Sequence, residues 1–365
     1  MQRLAIALLS LAAGAAGSVL ADTQNADAVK PPAIPSPVQT YPDREPRNAL
    51  RIGPGNTFSV SKTPKDQTLV SFTLSADGER IALGWESGQV DLFYLRTHKA
   101  LTRFKSGLGA PYLLKFNAAG DRLVVTGRPD QINFLDPRSG KVLRKVPVEQ
   151  GPLKYTIQGM ALDSKDRWVA YVNAENGKVL DLMAESPRPL ADLKQAGSLA
   201  LSQDGSELWT VSRKMLTRFD TSTWKQTGEW PLASPPIDTS PVVVRAGVSE
   251  TGRAAVAVPT SKGLLIYREP EMTAEYASAR PTNGVAFASA SRLFVNLSLH
   301  LTFLKPDGTI VCARSYEGRY DYSVSDDGQW LALSQSARVD LWRIEDLLSE
   351  CAKDAGMAPD REGPG

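Results

Sequence analysis

Histidine and cysteine are scarce in this 365-residue chain, which holds two of each: His98, His300, Cys312 and Cys351. Two imidazoles on separate stretches supply neither a Ser-His-Asp triad nor a His-rich metal set, so both read as surface residues. No Cys-x-x-Cys-His run occurs, which excludes covalent haem. Gly53-Pro54-Gly55 and Gly107-Leu108-Gly109 lack the strand–helix setting of a phosphate loop and read as turns. An excess of one charge is missing too. Lys plus Arg is 42 and Asp plus Glu is 40, a formal net charge of +2, so the basic footprint of a nucleic-acid binder is absent. No cofactor and no metal are expected.

Long apolar runs are confined to the first residues. MQRLAIALLSLAAGAAGSVLA has one early cation, Arg3, then an apolar run over 4–13 and small residues ending in Val19, Leu20 and Ala21. This is the pattern of an export signal over 1–21, cleaved after Ala21. The other reading is an N-terminal membrane anchor, for which the run is short and diluted by Gly and Ala. No Cys lies near the cleavage point, so lipid attachment is not expected, and no later stretch is apolar enough to span a bilayer. The expected compartment is an oxidising one, most simply a periplasm. There a Cys312–Cys351 disulfide would close a loop of about 40 residues, worth at most roughly 4 kcal/mol on the chain-entropy model. Two buried thiols are the alternative.

Residues 22–48 are polar and Pro-rich (VKPPAIPSPVQTYPDREPRN) and read as a disordered tether. A pattern then repeats. FTLSADGERIALGWE is followed by LKFNAAGDRLVVTGR, MALDSKDRWVAYVNA, LALSQDGSELWTVSR, RAGVSETGRAAVAVP, the degenerate VAFASASRLFVNLS, and YSVSDDGQWLALSQ. Turn positions fall at Gly78, Gly120, Asp166, Gly205, Gly252, Ser291 and Gly328. Seven copies about 42 residues apart have the period of a four-stranded propeller blade. In each, an alternating run enters an Asp-Gly-type turn that supplies positive φ. A nearly continuous apolar run follows, as for a strand buried on both faces. Third strands such as QVDLFYL and RVDLWRI and weaker fourth strands complete the unit. The seventh copy passes from its third strand straight into EDLLSECAKD, which reads as a helix. LRIGPGNTFSVS, over 50–61, has strand character and no partner, so it is expected to close the ring. The expectation is all-β: a seven-bladed β-propeller of four-stranded antiparallel blades over 49–346, closed by an N-terminal strand. Blades start near 70, 113, 158, 198, 243, 284 and 321, and a C-terminal helix and tail occupy 347–365.

The repeated strand, Ser-x-Asp-Gly turn, apolar strand and x-V-x-L-W/F strand resemble WD-repeat and related bacterial periplasmic β-propellers. VDLW at 339–342 is the best single match. Gly-His dipeptides and the Trp-Asp pair of strict WD repeats are missing.

Functional candidates come from the connections that share one rim. Second-to-third strand connections carry Glu86, Asp130, Glu175 and Lys262 with Arg128, Arg213 and Arg338. Trp85 ends a second strand at that rim. Tyr112, Tyr155, Tyr316 and Tyr320 lie between a fourth strand and the next first strand, on the same rim. Tyr and Trp beside Arg are interface material. Trp168, Trp209, Trp330 and Trp342 lie within strands and read as packing. The expected function is a non-enzymatic scaffold in the cell envelope, a monomer holding a protein partner on this rim. The alternative is a small-ligand sensor or a lyase- or lactonase-like enzyme at the channel mouth, with Glu86, Arg128, Glu175 and Arg338 as polar contacts. The sequon at Asn296 falls in a strand, which argues against its use.

Overall fold

The computed structural model describes residues 68–354, except 96–98, 129–130, 149–156, 174–175, 203, 237–242, 246–254, 269–271, 279–281, 283, 290, 298–299, 316–320 and 336–337. The export signal, the Pro-rich tether, the strand expected over 50–61 and the tail after 354 lie outside the described residues.

Asp-Gly-type turns set the architecture, because each reverses the chain into an antiparallel neighbour. Blade 1 is β1 (Leu69–Leu74), β2 (Arg80–Trp85), β3 (Gln89–Tyr94) and β4 (Ala100–Lys105). Blade 2 is β5 (Pro111–Phe116), β6 (Leu123–Gly127), β7 (Gln131–Leu135) and β8 (Val142–Pro147). Blade 3 is β9 (Gly159–Leu162), β10 (Trp168–Val172), β11 (Asn176–Asp181) and β12 (Arg188–Lys194). Blade 4 is β13 (Ser198–Leu201), β14 (Glu207–Val211), β15 (Met215–Asp220) and β16 (Gln226–Pro231). Blade 5 is β17 (Val243–Arg245), β18 (Ala255–Thr260), β19 (Gly263–Arg268) and β20 (Thr273–Ser278). Blade 6 is β21 (Gly284–Ala288), β22 (Leu293–Leu297), β23 (His300–Leu304) and β24 (Ile310–Ser315). The last sheet is β25 (Asp321–Val324), β26 (Trp330–Gln335) and β27 (Arg338–Arg343), leading into helix α1 (Ile344–Asp354).

Among the described residues the seven sheets are meanders in chain order, six of four strands and one of three. The expectation of seven four-stranded blades is therefore corrected. Among the described residues there are six, because after β27 the chain turns into α1 and adds no fourth strand to the last sheet.

One hydrogen-bond pattern recurs in the first hairpins. Ser75 Oγ donates to Asp77 Oδ1 at 2.5 Å, Asp77 Oδ1 accepts the Glu79 N–H at 3.0 Å, and Ser75 Oγ accepts the Arg80 N–H at 2.9 Å. Ser202–Asp204 and Ser325–Asp327 repeat it. Asn117 and Asp163 take the serine's place in blades 2 and 3, accepting the N–H groups of Arg122 and Arg167. The turn needs a left-handed residue: Gly78, Gly120, Gly205 and Gly328 have φ of +63, +67, +73 and +70°, and Asp166 holds +55°. In the degenerate sixth copy the left-handed residue is Arg292 (φ +54°) rather than Ser291, and its N–H binds the Ser289 carbonyl. Gly252 lies outside the described residues.

First strands lie against one another at most junctions, β1 on β5, β9 on β13, β13 on β17, β17 on β21 and β21 on β25, and β1 also meets β25. The second strands β6 and β10 are buried at every position, whereas the outer β4 and β16 alternate between exposed and half-buried residues. The apolar cores accordingly lie between sheets. Ala82, Val90 and Leu92 of blade 1 meet Leu114 and Val125 of blade 2, and Val124, Ile132 and Phe134 of blade 2 meet Val169 and Tyr171 of blade 3. A core of the same kind joins the last sheet to the first, through Leu69, Ile81, Leu83 and Trp85 against Ala332, Val339 and Leu341. Each buried Val, Leu, Ile or Phe side chain among them contributes about 1.5–3 kcal/mol relative to exposure. Helix α1 lays Ile344, Leu347, Leu348 and Cys351 on the core between β22–β24 and the last sheet. Cys351 is paired with Cys312 of β24 at disulfide distance, with Cα atoms 5.8 Å apart.

Candidate functional site

Strand alternation puts the second-to-third connections and the fourth-to-first connections on one rim. Between blades 1 and 2 that rim is laced by main-chain bonds. The Ser106 N–H binds the Gly88 carbonyl at 2.9 Å, and the Gly109 N–H binds the Arg128 carbonyl at 2.7 Å. Gly88, at φ +79°, lets the next loop approach so closely that a Cβ there would stand 2.5 Å from the Leu108 carbonyl oxygen. Lys105 Nζ adds a bond to the Ser87 carbonyl at 3.0 Å.

This rim brings three of the expected residues together. Glu86 and Arg128 are exposed. Tyr112 is 37% exposed although it lies in β5. The cause is a register shift between Pro111 and Leu113 against β6, which leaves Tyr112 as the extra residue of a bulge. Gly127 pairs with Pro111, so Arg128 and Tyr112 flank the same pair. Gly84 also packs on Pro111, which places the end of β2, and hence Glu86, beside them.

Trp85 requires a correction as a rim contact. It is only 2% exposed, and its Nε1–H donates to Asp91 Oδ2 at 3.1 Å. Asp91 is itself buried and accepts Arg103 Nε at 2.7 Å, Arg103 Nη2 at 3.0 Å and Gln89 Nε2 at 3.0 Å. A buried carboxylate needs such donors, and supplying one draws the indole inward.

Other candidates are dispersed. Arg213 is exposed on blade 4, Lys262 is exposed on blade 5, and Arg338 opens β27. Glu175, Tyr155, Tyr316, Tyr320, Asp130 and His98 lie outside the described residues. His300 opens β23, opposite Ser315. Among the described residues no group of three or more His, Cys, Asp or Glu is placed to hold a metal, and no helix is long and apolar enough to cross a membrane.

The opposite rim holds a site that the sequence reading missed. Between blades 2 and 3 a cleft of about 210 Å³ is lined by Arg122, Phe134, Arg144, Lys165, Asp166 and Leu182. Arg122 and Asp166 face each other, Nε to Oδ2 at 2.9 Å, and Asn117 Nδ2 donates to the same oxygen at 3.0 Å. Burial pushes the Asp166 carboxyl above the usual aspartate range, reinforced by Asp121 and Asp163 and only partly offset by Asn117 and Arg122. Arg144 donates to the main-chain carbonyls of Leu182 and Ala184, the second at 2.8 Å. The visible clue was Asp166, standing where five of the other six copies have glycine; Arg144 lies in a fourth strand with no distinguishing pattern.

The turn carboxylates behave differently. Hydrogen bonds from Ser222 and Thr223 lower Asp220 to about 2. Asp136 is lowered by Ser139 and the Arg138 N–H, and Asp307 by Thr309. Burial would raise Asp77 and Asp204, but donors from Ser75 and Glu79, and from Ser202 and Ser206, outweigh it.

No protein-family profile and no curated protein matches this sequence. Among solved structures, the β-propeller domain of Cps50 (Swd1) from Myceliophteria thermophila is similar, with a TM-score of 0.61 at 14% identity. The match covers 78% of this chain and 98% of that domain. Sheets and likeness together define a β-propeller of four-stranded antiparallel blades. Its repeat resembles that of WD-repeat propellers, a likeness of fold.

Proposed function

We propose that this protein is an exported, monomeric, non-enzymatic scaffold that holds a protein partner on the rim of its propeller, in a periplasmic cell envelope. The observation that carries the reading is Tyr112, turned outward by the bulge between Pro111 and Leu113, on a rim laced by main-chain bonds that also carries the exposed Glu86 and Arg128. A fixed aromatic flanked by charges gives contact area at little ordering cost. The mechanism is presentation. The turn aspartates support it, since neighbouring donors hold Asp77, Asp136, Asp204, Asp220 and Asp307 as ions and fit them to structural acceptance rather than to acid catalysis. Export is supported by the leader pattern and by the Cys312–Cys351 pair.

The reading extends to ring closure, with residues 50–61 as the fourth strand of the last blade. The outer edge of β27 offers the seat, and seven residues, 62–68, would link that strand to β1. The other fourth-to-first connections use three to eleven.

Cross-linking of the tagged mature protein in its own envelope, read by mass spectrometry, tests the function. A stoichiometric protein partner lost in Tyr112→Ala is expected. A clean negative repeated at low salt overturns the scaffold and turns attention to a small ligand at the channel mouth.

A further inference from the structure

The cleft between blades 2 and 3 has more positive charge than its own carboxylate cancels. Asp166 is matched by Arg122 at 2.9 Å. Arg144 is held by the Leu182 and Ala184 carbonyls, which orient its guanidinium without neutralising it. Lys165, exposed at the lip, faces no carboxylate partner among the described residues. Two uncompensated cations thus converge on one concavity, whose lining includes the buried Phe134 and Leu182. Field lines concentrate in a cleft with low-dielectric walls, so an anion is favoured there.

Size narrows the class. Small-molecule sites occupy about 300–1,000 Å³, and this cleft is about 210 Å³, room for one or two side chains. The lip adds an apolar contact. Met183 lies between the two residues whose carbonyls hold Arg144, and it is 73% exposed, the most of any large apolar side chain described. Its N–H is bound to Asp181 Oδ1 at 2.7 Å, which pins the main chain while leaving the thioether outward. An adaptable Met beside an oriented guanidinium suits a peptide with apolar and acidic side chains in turn.

We infer that the cleft formed by Arg122, Arg144, Lys165, Phe134 and Leu182 binds an acidic side chain of a partner protein's segment, whose neighbouring apolar residue rests on Met183. This rests on the scaffold reading and assigns it a second contact surface, on the opposite rim from Tyr112. The carboxylate sits between Arg144 and Lys165, and its methylene groups lie on Phe134 and Leu182.

The probe is a fluorescein-labelled hexaglutamate peptide, with hexalysine as control and inorganic phosphate as competitor, measured by polarisation on the full mature chain. Hexaglutamate binding that weakens as salt rises from about 0.05 to about 0.3 M is expected. Lys165→Glu should weaken it about tenfold or more, a loss of about 1.4 kcal/mol, and Arg144→Gln should do the same. Lys225→Glu, an exposed charge on the same rim of blade 4, should leave it unchanged. Because Arg144 also holds two carbonyls, its variant risks misfolding, and the exposed Lys165 keeps the test decisive. Binding unaffected by K165E, no binding at low salt, or tighter binding of phosphate than of peptide overturns the inference. Envelope cross-linking with K165E beside the unaltered protein separates the two claims. A partner captured equally by both leaves the scaffold standing and removes the cleft from it. Peptide binding with no captured partner keeps the carboxylate site and removes the scaffold.

Discussion

Gly78 and Gly205 hold the same hairpin position in blades 1 and 4, with φ of +63 and +73°, yet their surroundings differ enough to make a quantitative test. A Cβ at Gly205 would meet nothing within 4 Å. Gly205→Ala therefore costs only the left-handed conformation, about 1 kcal/mol. At Gly78 the added carbon would stand 2.7 Å from Trp330 Cδ1 and 3.1 Å from Asp327 Oδ2. Both belong to the last sheet's hairpin, whose Asp327 N–H binds the Ala76 carbonyl at 3.0 Å. Overpacking at that junction adds about 1–3 kcal/mol, so Gly78→Ala should cost about 2–4 kcal/mol in all. Urea unfolding of both variants gives the comparison, with midpoints shifting at constant slope. In a Trp330→Ala background the obstructing ring is gone, and the Gly78→Ala penalty should fall toward the Gly205→Ala value, with Asp327 Oδ2 at 3.1 Å the remaining close contact. Equal penalties for the two alanines, or a Gly78 penalty indifferent to Trp330, would refute the packing of blade 1 on the last sheet at this point.

Four further outcomes are expected. Deleting 49–61 should lower the melting temperature sharply if that segment completes the last blade; unchanged melting would place closure elsewhere. Cys351→Ser should cost up to about 4 kcal/mol, and reductant should destabilise the parent protein but not the variant in thermal melts. Arg103→Met should cost about 2–3 kcal/mol by removing two of the four donors on the buried Asp91, less than for a fully buried pair because Arg103 is 39% exposed on its side chain. Acid should weaken the fold in a defined window. Asp77, Asp163, Asp204, Asp220 and Asp307 are lowered in the folded state, so the native chain binds fewer protons than the unfolded one. Their stabilisation is present above the ordinary aspartate value of 3.8 and disappears as pH falls through the folded values, down to about 2 for Asp220. Urea midpoints measured from neutral pH downward should fall across that window, and flat midpoints would remove these hydrogen bonds from the account.

The hairpins were legible because their chemistry is local: serine, aspartate and a left-handed glycine within four residues specify the reversal wherever they occur. The doubly buried second strands were legible for a related reason, since a strand between two sheets has no polar face to alternate. Burial of Trp85 was not legible, because it depends on Asp91 and Arg103 arriving from two further strands. Tyr112 was placed on the rim by its position after a fourth strand, but its outward turn comes from a bulge set by pairing with β6, which no short pattern announces. The charged cleft was hidden for the same reason. Its residues come from two blades, and only the packing of one sheet on the next gives Arg144 and Lys165 a common opening.

The last sheet is fastened unevenly. Toward blade 6, α1 reaches back over the outer strands and Cys351 meets Cys312, so that joint combines apolar burial with a covalent tie. Toward blade 1 the described joint is made of side-chain packing and single hydrogen bonds such as Asp327 to Ala76. A sheet held this way has a designated place to breathe. Local opening should start at the seam between β25 and β1, and its amide protons should exchange ahead of those between blade 6 and the last sheet. Reducing the chain should narrow that order, leaving the joint toward blade 6 to the apolar burial of α1 alone.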